Sequence, residues 1–86
     1  MTIHKIGSIV QLNQGNTESN WIVVDVASHQ KGQMVLLAHE DELDKVGGWM
    51  PADCLHESDI NHRDRQLLLA AFAQTKRGKE LIKALS

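Results

Sequence analysis

Trp21-Ile22-Val23-Val24-Asp25-Val26 is dense in β-branched residues. Such residues pack well on a pleated surface, so the run predicts a strand. Strict alternation puts Ile22, Val24 and Val26 on one face and Trp21, Val23 and Asp25 on the other. Just downstream, Ser28-His29-Gln30-Lys31-Gly32 reads as a tight connection whose glycine takes positive φ. Residues 33–39 carry Met34, Val35, Leu36 and Leu37 and predict the partner strand of a hairpin. Apolar residues on both of its faces predict a central place in a sheet. Upstream, residues 13–20 form a polar loop of turn formers, and residues 6–12 predict the strand before it.

Beyond the hairpin, Glu40, Asp41, Glu42 and Asp44 suggest an acidic loop or a single helical turn, which Gly47-Gly48 breaks. Trp49-Met50-Pro51 predicts a short strand, with Pro51 at its end where no ladder donor is needed. Ala52-Asp53-Cys54-Leu55 suits a 3₁₀ turn leading into a last short strand. The chain changes character at Ser58. Ser58 or Asp59 is the candidate N-cap of a helix. Ile60, Leu67, Leu68, Ala71 and Phe72 share one helical face, and Leu69, Ala70 and Ala73 widen it. Thr75 is placed to cap a second short helix holding Leu81, Ile82 and Leu85. Gly78 is expected to weaken that helix.

Gly7-Ser8-Ile9-Val10-Gln11-Leu12 is similar to the opening strand of SH3-like small barrels, which often read Gly-Asp-x-Val-x-Leu. Gly48-Trp49-Met50-Pro51-Ala52-Asp53-Cys54-Leu55 resembles their closing segment, where a Gly-aromatic-apolar-Pro strand enters a 3₁₀ turn and a final strand. The resemblance spans roughly residues 5–57 and concerns the fold alone. It implies an SH3-like antiparallel β-barrel over residues 1–57; with the helical pair that caps and spacing predict over residues 58–86, packed on the barrel or on a partner, the chain reads as α+β and one structural domain. It does not extend to the SH3 ligand groove, whose aromatic side chains grip polyproline. The chain has no tyrosine, and the position three after Pro51, where the groove tyrosine would stand, is Cys54. Recognition of proline-rich peptides is therefore not expected.

With 86 residues, 42% of them hydrophobic and 23% charged, the chain suits one folded core. Its net charge of −2 is unevenly spread. Residues 1–57 hold three bases (Lys5, Lys31, Lys45) against eight acids (Glu18, Asp25, Glu40, Asp41, Glu42, Asp44, Asp53, Glu57), a net of −5. Residues 58–86 hold six bases (Arg63, Arg65, Lys76, Arg77, Lys79, Lys83) against three acids (Asp59, Asp64, Glu80), a net of +3. Cys54 is the sole cysteine, which excludes an intrachain disulfide and fits a reducing cytoplasm. The first residues lack an apolar stretch of signal-peptide length, and no apolar run approaches the ~20 residues of a membrane span. A cytoplasmic protein without a membrane partner is expected.

Chemistry-bearing constellations are sparse. Cys54 and His56, with His62 further on, make only one close ligand pair, whereas zinc sites draw four ligands from two pairs. No metal site or cofactor is expected there. Cys54 lies in an acidic stretch with Asp53 and Glu57, without the positive neighbours that make a reactive thiolate. The acidic run lacks the central glycine and late glutamate of a calcium loop. No Gly-rich phosphate loop is present. No nucleophile, base and acid can be grouped, so an enzyme is not expected. Lys76, Arg77, Lys79 and Lys83 are suited to phosphate contacts, which makes a nucleic-acid-associated regulator an alternative. The slightly acidic chain argues against it. A protein binding a small ligand or a metal is a further alternative.

The run from Leu67 to Ala73 offers more apolar surface than one helical stripe uses. A second helix or another molecule must cover the rest. The expected function is a non-enzymatic protein-interaction module, self-associating as a homodimer. Its expected contact residues are Trp21, Trp49 and Pro51 on the barrel and Leu69, Phe72 and Leu85 on the helices.

Overall fold

The computed structural model describes residues 3–15 and 17–85, the side chain of Leu85 excepted. The β-branched run lies at the middle of a five-stranded antiparallel sheet. In chain order the strands are β1 (Ile9–Leu12), β2 (Trp21–His29), β3 (Gly32–His39), β4 (Glu42–Pro51) and β5 (Leu55–Glu57). Their spatial order is β4-β3-β2-β1-β5. A 3₁₀ turn, Ala52–Cys54, joins β4 to β5. Two helices follow, α1 (His62–Ala73) and α2 (Lys76–Leu85). The fold is α+β.

β2 and β3 meet in the expected hairpin, closing at His29 and Gly32. Gly32 has φ of +127°, which an L side chain adopts only under strain. The expected barrel does not close. β4 pairs only with β3 and β5 only with β1, leaving two sheet edges. β5 has three residues, and β4 is exposed along most of its length. Neither edge offers the apolar rows that would reward pairing with the other.

Each face of the sheet has its own core. On one face Ile9, Ile22, Val24, Leu36 and Ala38 pack with Phe72 of α1, and Leu68, Leu69 and Leu81 close over them. On the other, Val10, Val23, Val35 and Leu37 pack with Ala52 and Leu55 from the turn and β5. Fully burying a side chain of this size is worth about 1.5–3 kcal/mol, which makes the doubly covered β2 and β3 the anchor of the fold.

Three expectations change. First, the β2–β3 register jumps from Val23 opposite Leu37 to Asp25 opposite Leu36. The bulge at Val24 reverses the alternation, so Val26 joins Trp21 and Val23 instead of Ile22 and Val24. Second, the acidic stretch is not a separate loop. Only Glu40 and Asp41 form the turn; Glu42 already belongs to β4, which runs through Gly47 and Gly48 to Pro51. Bulges twist this edge strand away from further pairing. Third, α1 is capped by Asn61, whose side chain accepts the Asp64 N–H at 2.8 Å. Ser58 is buried and donates instead to Asn20 Oδ1 at 2.6 Å.

The second helix starts as expected, with Thr75 Oγ1 accepting the Gly78 N–H at 2.9 Å. Gly78 has a role beyond propensity. It is buried, and a Cβ there would overlap the Phe72 carbonyl oxygen and lie 2.7 Å from the carbonyl carbon. The absence of a side chain lets α2 lie directly on the end of α1. Among the described residues, no helix is long and apolar enough to cross a membrane.

Candidate protein interface

Of the expected contact residues, Phe72 lies furthest from a surface role. It is 7% exposed and belongs to the core between α1 and the sheet. Leu69 is half-buried against the same core. The side chain of Leu85 lies outside the described residues. The apolar surface of the helices is carried by others: Leu67 is 60% exposed and Ile82 53%. Ala70 and Ala71 are exposed beside Leu67.

The two tryptophans sit apart. Trp21 is half-buried, with its ring edge-on to His39 at 4.6 Å between centroids. Trp49 is 46% exposed and stands opposite Leu36 in the register. Leu36 faces the helices, and Ala27 and Met34 share its face once the bulge is counted. Trp49, Met34 and Ala27 therefore continue the helix-covered face beyond the helices. With His29, Gln30 and Lys31 they line a shallow groove of about 780 Å³. Pro51 is exposed at the start of the 3₁₀ turn. Next to it Leu12, Met50 and Cys54 line a depression of about 400 Å³ that contains no aromatic ring.

The basic residues of α2 divide. Lys76, Lys79 and Lys83 are exposed, whereas Arg77 is half-buried with Nε enclosed. Cys54 is exposed. His56 Nδ1 lies 2.6 Å from Asn13 Oδ1, a hydrogen bond that engages that ring nitrogen. Among the described residues no three His, Cys, Asp or Glu side chains converge as a metal site would require.

A further groove joins segments distant in sequence. Its floor is Ile60, Leu67, Leu68 and Ala71, and its rim is Glu40, Asp41 and Asp64; its volume is about 410 Å³. Hydrogen bonds hold the rim. Glu40 N–H donates to Asn20 O at 3.1 Å, and the Glu40 carboxylate accepts the Asn20 N–H in return. The Ser58 hydroxyl, bonded to Asn20 Oδ1, also accepts the Ile60 N–H at 3.2 Å. The β3–β4 turn, the entry to β2 and the entry to α1 are thus tied together at one end of the groove. Asp41 stays open to solvent, its side chain 81% exposed. Its N–H donates to His39 Nδ1 at 3.2 Å, so that nitrogen is an acceptor.

Compared with known protein families, curated proteins and solved structures, the chain matches none of them. Sequence reasoning missed this acidic groove because its residues belong to three separated segments. The apolar excess of residues 67–73 was the one signal that pointed towards it.

Proposed function

We propose that the chain is a non-enzymatic protein-interaction module on an SH3-like small β-fold, and that it self-associates as a homodimer through its helical side. The strand order supports the SH3-like reading: a meander whose last strand, after a 3₁₀ turn, returns to pair with the first. The observation that carries the interaction reading is Leu67. It is 60% exposed on a helix whose Phe72 is already committed to the core. Leu67 and the neighbouring Ala70 and Ala71 form an apolar outer face beside the carboxylates of Glu40, Asp41 and Asp64. An apolar strip with a polar rim is the usual build of a protein contact. Trp49 and Met34 form a separate exposed patch near the β2–β3 turn, and an exposed aromatic is a frequent anchor of such contacts.

Light scattering coupled to size exclusion, over a wide range of protein concentration, tests this. A mass of two chains that falls to one in Leu67→Asp supports the reading. A single-chain mass at every concentration removes self-association, leaving Trp49 as the anchor to try with other partners.

A further inference from the structure

We propose that the acidic groove between α1 and the β3–β4 turn receives the basic outer face of α2 from a second copy of the chain, with each copy both giving and receiving. This rests on the self-association proposed above and names its contact. The groove has an apolar floor under a rim of three carboxylates, and no lysine or arginine lines it. Its complement is an apolar side chain flanked by cations. α2 presents that arrangement: Lys79, Ile82 and Lys83 stand at i, i+3 and i+4 and so share one helical face, with Lys76 one turn earlier. All four are exposed.

The groove of a chain cannot take its own α2 in this way. Gly78 is packed against the Phe72 backbone and Leu81 against the core, which holds that side of α2 inward; Lys76, Lys79 and Lys83 stand on the far side, with Ile82, 53% exposed, at its border. The basic face therefore points away from the chain that bears it. Seating Ile82 on Leu67 and Ala71 brings Lys79 and Lys83 towards the carboxylates of Glu40, Asp41 and Asp64. A twofold axis makes this contact twice and closes the assembly at two chains. The contact sets Glu40 and Asp41 of the acidic segment before Ser58 against Lys79 and Lys83 of the basic segment after it.

The test is charge exchange, read as mass by sedimentation and native mass spectrometry. Asp41→Lys and the pair Lys79→Glu, Lys83→Glu alter exposed side chains on the two halves of the contact. Like charges then face each other twice, and each variant is expected to weaken dimerisation roughly tenfold or more. Mixing the two variants, or combining all three substitutions in one chain, restores opposite charges at both contacts and returns the two-chain mass. Rescue in the mixture reports folding and contact together. Shortening the Debye length from about 10 Å to about 3 Å with salt is expected to weaken the wild-type dimer as well. Wild type and both charge variants all remaining at two chains overturns this contact while leaving self-association standing. Weakening without rescue also overturns it. A wild type that is a single chain throughout overturns both readings.

Discussion

α1 carries apolar side chains around most of its last two turns, whereas α2 keeps Gly78 and Leu81 inward and shows mainly lysines outward. Both helices pack on the same sheet face and on each other. An amphipathic stripe is satisfied by one docking surface. A helix that is apolar on several sides needs more than one, and α2 with the sheet covers only part of α1. The exposed remainder, centred on Leu67, lies beside the acids of a turn that comes from the sheet. The difference between two neighbouring helices thus separates what holds the fold from what stays exposed.

The largest effect is expected from Phe72→Ala. Phe72 is the buried residue of α1, and truncating a buried phenylalanine costs about 3–5 kcal/mol. Urea unfolding measures it; a cost below about 1 kcal/mol would mean that α1 does not dock through this residue. Gly78→Ala comes next and turns on sign. Helix propensity alone predicts a gain of about 1 kcal/mol, but overpacking against the Phe72 carbonyl predicts a loss of about 1–3 kcal/mol. A raised melting temperature would contradict the close helix approach. Thr75→Ala removes the cap of α2 and should cost about 1 kcal/mol, since the Gly78 N–H loses its acceptor. The smallest expected effect on stability is at the outer face. Leu67→Gln and Ile82→Gln should each stay within about 0.5 kcal/mol of wild type in dilute solution, where dimer does not contribute. The same substitutions should lower the dimer fraction in concentrated solution. A large loss of stability at low concentration would show that these residues serve the fold.

Much of the architecture was legible because it rests on strong local signals. The β-branched run, the Gly32 turn and the apolar residues 33–39 identified the central hairpin. Pro51 and the residues after it marked the 3₁₀ turn and β5, and Thr75 marked the start of α2. β4 was not legible as one strand. Its burial pattern is nearly uniform exposure, so it shows no alternation, and its Gly47-Gly48 pair reads locally as a break. β3 supplies the ladder that makes it a strand. The Val24 bulge was invisible for a similar reason: an extra residue leaves no mark on a run already apolar on both sides. The choice of Asn61 over Ser58 as the helix cap followed from Ser58 being engaged by Asn20, 38 residues away.

Local sequence specified the elements whose residues interact with near neighbours: the hairpin, the turns, the helical segments and the split of charge between body and tail. Periodicity, turn chemistry and composition are local properties, and they survive without coordinates. Tertiary structure alone decided that the sheet stays open, that Phe72 faces inward while Leu67 faces out, that Gly78 is a contact point, and that Glu40 and Asp41 stand beside α1. Each of these depends on which distant backbone approaches which side chain. A helix apolar on several sides has no preferred inner face until a sheet and a second helix choose one.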